Sequence, residues 1–194
     1  MFTTLKIKMI KELTKKIFNK INYHLKFKKY NKNLFEKEKN KIFKNYGLDR
    51  EKGILKLNFV KNKLSKYSDI KRGMSSEHEE FFSSLSINQK LKFNNILEIG
   101  TFDGFNSLLL SNLFSQSTID TIDLPEDDED FINFYGREGR VRDFIRKRDI
   151  LISKNKNIKF FSQNSLSLLN HKKKYDLIWI DGAQGYPVVC IDII

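Results

Sequence analysis

The sequence predicts an α/β fold of the doubly wound kind, with a mostly parallel sheet, and three observations lead to it. From residue 95 onward, short apolar runs of four or five residues alternate with longer helical patterns. Such runs are typical of strands buried on both faces, and their alternation with helices is typical of a parallel sheet. Glycine and polar residues follow the runs directly, where parallel sheets bind ligands.

The basic N-terminal quarter predicts two helices. Residues 1–50 contain 15 Lys and Arg against 4 Asp and Glu, so this segment carries +11 of the net charge of +12. Apolar residues recur every three or four positions from Thr4 to Phe27, which predicts an amphipathic helix, and a further helix is expected from Tyr30 to Tyr46. The amphipathic helix can lie on an anionic membrane surface as a peripheral contact, or pack on its own domain or a partner. Because the charge is confined to this segment, specific nucleic-acid binding is not expected.

A connecting helical region follows the basic segment. Gly47 and Gly53 predict breaks in the helical pattern. Ser76, three residues before Glu79, matches a capping box and predicts a helix from that point. His78 stands among glutamates without the second histidine of a helical zinc motif, which favours a solvated acidic helix face over a metal cluster. The predicted domains are a helical extension at 1–50, a connecting region at 51–92 and a ligand-binding domain at 93–194.

Composition sets the class of protein. With 194 residues, of which 40% are hydrophobic, the chain has enough apolar material for one domain with a core. It contains no apolar run of membrane-spanning length and no secretory leader pattern, so we expect a soluble, cytoplasmic protein. Its single cysteine, Cys190, cannot form an internal disulfide, and its three scattered histidines lack zinc-ligand spacing, so neither a disulfide nor a structural zinc site is expected.

The predicted sheet region follows the order β-α-β-α-β-α-β. The strands are predicted at 96–99, 118–122, 158–161 and 177–180. The helices between them are predicted at 105–114, at 131–151 with breaks near Gly136 and Gly139, and at 165–170. Right-handed crossovers through these helices would place the strands parallel.

The segment LEIGTFDG, residues 97–104, follows the first strand and carries the strongest signal. Gly100 permits a sharp turn and close approach of a ligand, and Gly104 permits the next helix to begin close to the strand. Asp103 can cap that helix. Phe102 stands where a dinucleotide fingerprint has its second glycine, so a ligand without a pyrophosphate fits better.

The ends of the other strands add three polar groups. Asp123 lies 25 residues beyond Glu98, where a carboxylate can accept hydrogen bonds from both ribose hydroxyls. Residues 163–165 (Gln-Asn-Ser) can meet an adenine edge. Asp181 can hold an ammonium group or a metal ion. Together they predict a nucleoside-containing ligand at the strand ends.

The segments LEIGTFDG and IDGAQGYP resemble those of class I S-adenosylmethionine-dependent methyltransferases, in particular a small O-methyltransferase-like group, over residues 73–194. The resemblance implies a Rossmann-like domain with S-adenosylmethionine as cofactor. In metal-dependent relatives the aspartate after the fourth strand binds a divalent metal such as Mg²⁺, and Asp181 would be that ligand here. The resemblance also implies that Glu98 to Gly104 line the methionine part, that Asp123 binds the ribose, and that the adenine lies by Asn164 and Ser165. The full set of implied cofactor-binding residues is Glu98, Gly100, Thr101, Phe102, Asp103, Gly104, Asp123, Leu124, Asn164, Ser165 and Asp181.

The sequence departs from the family pattern in two ways, one in a catalytic position and one in the length of the domain. Asp181 and Gln184 are the candidate catalytic residues, but Gln184 stands where the family has His or Lys, and an amide cannot take a proton. Methyl transfer can still proceed through alignment of the reacting groups. The family fold continues through three more strands, but this chain ends at Ile194, inside the helix expected after the fourth strand. The resemblance therefore implies a truncated, Rossmann-like domain whose mostly parallel sheet is incomplete at the C-terminal end. Tyr186 and Pro187 are pocket candidates, and Trp179 is expected in the core.

The segment 124–149 has two interpretations. Its front, Glu126 to Asp130, is acidic and its back, Arg137 to Arg148, is basic. It can form a lid over the cofactor, with Arg137 or Arg140 binding an anionic acceptor, or a solvated helix with opposite-charge pairs.

The resemblance therefore implies transfer of a methyl group to an oxygen or nitrogen of a small molecule, sugars and glycans included. Two alternatives remain open at this point. One is a nucleotide-dependent oxidoreductase or epimerase, against which Phe102 argues. The other is a non-catalytic binding or membrane-surface protein that works through its N-terminal helix.

Overall fold

The computed structural model of the chain describes residues 31–65, 77–135 and 141–182. Backbone contacts divide the chain into two units, Met1–Asp49 and Arg50–Ile194. In the first unit, residues 31–45 are helical (α1), in agreement with the helix predicted from Tyr30 to Tyr46. The amphipathic helix predicted between Thr4 and Phe27 lies outside the described residues. Within the described part of the chain, no helix has both the length and the apolar character needed to cross a membrane.

The second unit contains the predicted alternation of strands and helices. Its helices are α2 (Arg50–Leu64), α3 (His78–Ser86), α4 (Phe105–Leu113), α5 (Glu129–Tyr135) and α6 (Val141–Ser153), and Ser165–Asn170 form a 3₁₀ helix. Its strands are β1 (Asn95–Ile99), β2 (Thr118–Asp123), β3 (Ile158–Ser162) and β4 (Leu177–Ile180). The strands coincide with the four apolar runs, and three of them extend one residue beyond the predicted ends.

The four strands form one parallel sheet in the order β3-β2-β1-β4. At the carboxyl ends, Ile99 of β1 lies opposite Ile122 of β2 and Ile180 of β4, and Ile122 lies opposite Phe161 of β3. The predicted doubly wound, parallel α/β fold is confirmed. Because the ends are in register, the segments that follow all four strands leave the sheet at one edge.

Alternate side chains of the strands build two different faces. On one face, the buried cluster of Leu97, Ile99 and Ile122 is packed against partly buried apolar side chains, which are Phe161, Leu168, Tyr175 and Ile180. The other face carries α4, in which Leu109 and Leu110 are fully buried. Every residue of α4 except Asn112 is buried, as expected for a helix surrounded by other elements. It contacts α2, α3, α6 and the sheet.

Helix α2 packs closely on α3 at a glycine. Gly53 lies inside α2, so the break predicted there is wrong. A Cβ on Gly53 would lie 2.1 Å from Ser84 Oγ and 3.0 Å from Ser84 Cα. The carbonyl of Gly53 also accepts a hydrogen bond from Ser83 Oγ at 2.7 Å. The glycine is therefore explained by helix packing and not by a turn.

The acidic start of α3 is packed against α2 and β4, so the prediction of a solvated acidic face is wrong. Glu80 accepts a hydrogen bond from Arg50 Nε at 2.7 Å, and Glu79 pairs with Lys61. His78 stacks on Trp179 with the ring centroids 5.0 Å apart. The structure gives α3 the range His78–Ser86 with Glu77 at the N-cap, and the predicted capping residue Ser76 lies outside the described residues.

A polar cluster on the first face of the sheet fixes the connection into β4. Asp120 of β2 is 1% exposed and accepts hydrogen bonds from Lys173 Nζ at 2.5 Å and from Tyr175 Oη at 2.9 Å. Burial raises the pKa of Tyr175, and the hydrogen bond to Asp120 raises it further. The phenol therefore stays a donor, and the buried carboxylate holds residues 173–175 over the sheet.

Replacing Gly53 by alanine tests the packing of α2 on α3. Alanine is better than glycine in a helix by about 1 kcal/mol, so propensity alone would stabilise the protein. We expect the opposite sign, a loss of about 1–3 kcal/mol in the free energy of unfolding, because the new methyl group overlaps Ser84. Urea unfolding measures this change in the free energy of unfolding. Leu55→Ala, at an exposed position of the same helix, is the control and should change stability by less than about 1 kcal/mol. A stabilised G53A variant would contradict this packing.

Candidate functional site

Backbone hydrogen bonds continue between the strands beyond their carboxyl ends. Gly100 N donates to Ile122 O at 2.8 Å, and Asp181 N donates to Ile99 O at 2.7 Å. On the other side of β2, Gln163 N donates to Asp123 O at 2.8 Å. The segments that follow β1, β2, β3 and β4 therefore begin side by side, which is the arrangement that the sequence predicts for a binding site.

The turn between β1 and α4 contains three residues with positive φ. These are Gly100 at +98°, Phe102 at +49° and Gly104 at +75°. A Cβ on Gly100 would lie 2.5 Å from Asp181 O and 2.7 Å from Gly182 N. The sequence attributes this glycine to room for a ligand, but the structure fills that direction with the backbone that leaves β4.

Gly104 also has a different neighbour from the one predicted. A Cβ at this position would lie 3.4 Å from Arg148 Cγ and 3.5 Å from Ile152 Cγ1, both on α6. The glycine thus permits close packing of α4 on α6, in addition to its left-handed backbone. Asp103 precedes this N-cap residue, and its Oδ1 accepts a hydrogen bond from Phe105 N at 2.9 Å, so it caps the first turn of α4 as the sequence predicts.

The buried carboxylate of Glu98 lies beneath the turn. The side chain is fully buried, with Oε1 accepting from Asn106 Nδ2 at 2.6 Å and Oε2 accepting from Thr121 Oγ1 at 2.7 Å and from Ser107 Oγ. Burial raises the pKa of Glu98 from 4.5 to about 7, against the opposing effect of its three hydrogen bonds. Nearby Asp181 raises it slightly further. Glu98 therefore joins β1, β2 and the first turn of α4.

Thr101 belongs to the same network. Its Oγ1 lies 2.8 Å from Thr121 Oγ1, and both side chains are buried. A hydroxyl has one hydrogen, and that of Thr121 is directed to Glu98. Thr101 must then donate to Thr121, so the turn is connected to the Glu98 carboxylate through two hydroxyl groups. Direct contact of Glu98 or Thr101 with a cofactor stays a prediction.

Asp123 follows β2 and faces the turn. Its Oδ2 accepts from Phe102 N at 2.9 Å, and its Oδ1 accepts from Leu124 N at 2.9 Å. Burial raises the pKa of Asp123, while backbone N–H groups and the positive charge of Arg148 act in the opposite direction. A carboxylate has about four acceptor positions, so this side chain can accept further hydrogen bonds from a diol. The hydrogen bond to Phe102 also stabilises a backbone conformation that is costly for a residue other than glycine.

The residues after β3 are polar and partly accessible. Asn164 is exposed, and its Oδ1 accepts a hydrogen bond from Leu166 N at 2.9 Å, which caps the 3₁₀ helix. Its amide NH₂ remains a donor, and Ser165 beside it is half-buried. The predicted contact of Asn164 and Ser165 with adenine stays a prediction.

Asp181 is exposed directly after β4. No group of three or more His, Cys, Asp and Glu side chains suited to a metal ion occurs within the described ranges, so the metal on Asp181 has no support from the structure. Several predicted site residues lie outside the described residues, namely Arg137, Arg140, Gln184, Tyr186 and Pro187. Trp179, expected in the core, packs edge-on against Phe82 and beneath His78.

Arg148 is one of three residues at this site that the sequence did not single out. Its side chain is 2% exposed, although it lies in the basic part of the segment interpreted as a lid or a solvated helix. The sequence contains a signal for this burial, because Arg148 lies between Ile145 and Ile152 at helical spacing, in line with the inward stripe of α6. Asn106 and Ser107 were likewise missed, and both hold Glu98 from α4.

Solved structures with a similar fold include several methyltransferases. The precorrin-6y C5,15-methyltransferase of Geobacter metallireducens is 15% identical, with a TM-score of 0.39, over 66% of this chain and 62% of that one. The O-methyltransferase TomG of Streptomyces achromogenes, solved with SAM, is 17% identical with a TM-score of 0.38, over 65% of this chain and 52% of that one. The methyltransferase PaMTH1 of Podospora anserina, solved with SAH, is 16% identical with a TM-score of 0.36, over 77% and 57%.

Other comparisons give no match. No protein-family model matches the chain, and no curated protein matches it. The chain spans between about half and three-fifths of the length of the methyltransferases named above. Identities and TM-scores this low do not define a family, so the functional argument depends on the residues at the strand ends.

Replacing Gly100 by alanine tests the turn, with Gly47→Ala as a matched control. Both glycines have positive φ, but a Cβ on Gly47 would meet nothing within 4 Å. Gly47→Ala should cost about 1–2 kcal/mol for the left-handed backbone alone. Gly100→Ala should lose about 1–3 kcal/mol more, because its methyl group overlaps the backbone at Asp181 and Gly182. Equal losses of unfolding free energy in the two variants would contradict the close approach of β4 to the turn.

The raised pKa of Glu98 predicts a specific pH dependence of stability. Between pH 4.5 and about 7 the folded protein keeps the Glu98 proton that the unfolded chain has lost, so this group makes the folded state less stable as the pH rises through that window. The full effect is on the order of 3 kcal/mol. Glutamine has the same shape as glutamic acid and stays neutral at every pH, so Glu98→Gln should remove this pH dependence of stability.

Urea unfolding of wild type and Glu98→Gln at pH 5 and pH 8 measures this effect. The stability of the variant relative to wild type should increase from pH 5 to pH 8. Glu129→Gln, at an exposed position of α5, should keep the wild-type pH dependence. If Glu98→Gln showed that same dependence, the carboxylate would be charged throughout the range, against the raised pKa.

Proposed function

We propose that this chain is the cofactor-binding part of an S-adenosylmethionine-dependent methyltransferase that methylates an oxygen or nitrogen of a small molecule, with sugars and glycans among the candidate acceptors. One observation carries the proposal. The turn after β1 and the carboxylate after β2 are joined by the hydrogen bond from Phe102 N to Asp123 Oδ2, at 2.9 Å. A backbone turn and an acceptor of diol hydrogen bonds therefore lie at adjacent strand ends, as a nucleoside ligand requires.

The residues present fit the chemical groups of S-adenosylmethionine. Asp123 has acceptor positions for the two ribose hydroxyls, and exposed Asp181 supplies a carboxylate for the ammonium group of the methionine part. Asn164 and Ser165 offer polar groups for the adenine edge. The cofactor supplies an electrophilic methyl group on a sulfonium, and the protein has to align it with the acceptor atom.

Phe102 favours this ligand over a dinucleotide. It takes the position at which the dinucleotide fingerprint has its second glycine, and its side chain is 49% exposed at the turn. A pyrophosphate needs close approach to the backbone there, and the aromatic side chain hinders that approach. A sulfonium ligand has no such requirement, and its positive charge is compatible with an aromatic ring.

We propose that catalysis depends mainly on alignment. Asp181 is the candidate catalytic residue among those described, and Gln184 is the second candidate. A glutamine side chain can orient an acceptor through hydrogen bonds without taking its proton. Methyl transfer from a sulfonium requires the nucleophile, the methyl carbon and the leaving sulfur in line, and pre-alignment of this kind supplies a large part of the rate enhancement in enzymes.

Calorimetric titration with S-adenosylmethionine and with its demethylated product tests the proposed function. Wild type should bind both, and Asp123→Asn should bind each about 10- to 100-fold more weakly, because the loss of charge-assisted hydrogen bonds costs about 1.5–3 kcal/mol. Asp127→Asn, which removes an exposed carboxylate from the same loop, should bind like wild type.

Two outcomes would count against this function. Equal affinity of Asp123→Asn and wild type would remove the ribose role of Asp123. Binding of NAD with no binding of S-adenosylmethionine, by protein shown to be folded by circular dichroism, would favour the oxidoreductase or epimerase alternative.

A further inference from the structure

The buried side chain of Arg148 contacts three of the segments that surround the candidate site. Its Cγ lies 3.4 Å from the position that a Cβ of Gly104 would take, at the start of α4. Its guanidinium lies over the ring of Phe160 on β3, 4.2 Å from the centroid. Its Nη2 donates to Glu126 Oε1, in the loop after β2, at 3.0 Å, and its Nε donates to Asp149 Oδ1 at 3.0 Å. One side chain of α6 therefore connects the turn after β1, the loop after β2 and strand β3.

The polar contacts of Arg148 are unevenly distributed. Both acidic partners are more than half exposed, with side-chain exposures of 51% for Glu126 and 56% for Asp149, whereas Arg148 itself is 2% exposed. Its Nη1 is buried and has no hydrogen-bond partner within the described ranges. A buried donor of this kind is costly unless a further group satisfies it. Glu126 and Asp149 therefore accept hydrogen bonds from Nε and Nη2, and Nη1 is the buried donor that is left over.

Arg148 also acts on the carboxylate assigned to the ribose. Its charge opposes the rise that burial causes in the pKa of Asp123. The buried or neighbouring acidic groups are Glu98 and Asp103 on β1 and its turn, Glu126 after β2, and Asp149 on α6. The other described basic side chains of α6 and β3 are exposed, namely Arg146, Lys147 and Lys159. The neutral Ser162 lies opposite Asp123 on β3. Arg148 is thus the positive group that counters burial of this carboxylate.

We propose that Arg148 is a positioning residue for cofactor binding, which holds the turn at Gly104 against the loop after β2 and favours the charged form of Asp123 that accepts hydrogen bonds from the ribose. This inference rests on the proposed function, because the ribose contact belongs to that proposal. Arg148 acts on the cofactor only through Asp123 and the turn. The planar guanidinium is needed because it donates to Glu126 and Asp149 and at the same time packs on Phe160, which a lysine ammonium group cannot do.

The test combines two measurements on the full chain. NMR titration of the Asp123 carboxyl in the absence of ligand reports whether Arg148 controls its ionisation, and calorimetric titration with S-adenosylmethionine between pH 5 and pH 8 reports binding. The variants are Arg148→Met, which removes the charge, and Arg148→Lys, which keeps the charge and removes the fork. Arg146→Met removes the same charge from an exposed position of α6 and is the matched control.

The charged form of Asp123 accepts hydrogen bonds from the ribose, so affinity should fall as the pH falls through the pKa of Asp123. In Arg148→Met that pKa should be higher than in wild type, the fall in affinity should begin at a higher pH, and the affinity at pH 7 should be about tenfold lower. Arg148→Lys should keep a titration of Asp123 near that of wild type and still bind more weakly. Arg146→Met should match wild type in both measurements.

Identical titration of Asp123 in wild type and in folded Arg148→Met would overturn the proposal, whatever the binding result. If Arg148→Met does not fold, Arg148→Lys carries the test, and an affinity within about twofold of wild type overturns it. Failure of wild type to bind S-adenosylmethionine would reject the proposed methyltransferase function instead, and the NMR comparison would then decide by itself whether Arg148 controls Asp123.

Discussion

The carboxylate of Glu98 is the group on which the arrangement of the site depends. It lies fully buried at the carboxyl end of β1, the strand between β2 and β4. Its hydrogen bonds reach Thr121 on β2 and Asn106 and Ser107 on α4. Burying a carboxylate is unfavourable unless donors surround it, and here the donors come from the elements that have to be aligned. The cost of burial is thereby coupled to correct placement of the turn, because a misplaced α4 would leave the carboxylate without partners.

The turn above Glu98 is held in place largely by backbone atoms. Gly100 is hydrogen-bonded to β2 and lies against the chain that leaves β4, and Phe102 donates its N–H to Asp123. The contacts of Gly100 join backbone to backbone and depend little on side-chain rotamers, which favours a rigid site. Three of the side chains that could contact a ligand, Phe102, Asn164 and Asp181, are by contrast exposed. The structure thus separates a buried frame, which fixes the geometry, from an accessible rim, which can recognise a ligand.

Local patterns in the sequence predicted the strands well, because four short apolar runs between helical stretches have few other stable arrangements. Sequence reasoning failed where the reason for a residue lies in a distant segment. Gly53 looks like a helix break, but it is required by Ser84 of α3. Gly100 looks like room for a ligand, but a Cβ there would meet Asp181. Arg148 looks like a surface charge, but it is buried against Phe160. In each case the decisive neighbour is 12 to 81 residues away in the chain, and spacing along the sequence cannot identify it.

The pairing of β1 with β4 has a consequence for how the protein is made. Asp176, before β4, accepts hydrogen bonds from the backbone of Asn94 and Asn95, and Gly100 is packed against Asp181, so contacts that close the turn span about 80 residues. During synthesis from the N-terminus, β1, α4, β2 and β3 leave the ribosome before β4 does. The glycine turn cannot take its final form until the segment around Asp181 has emerged. The candidate site is therefore completed late, when β4 is inserted beside β1, and contacts of such long range are formed slowly.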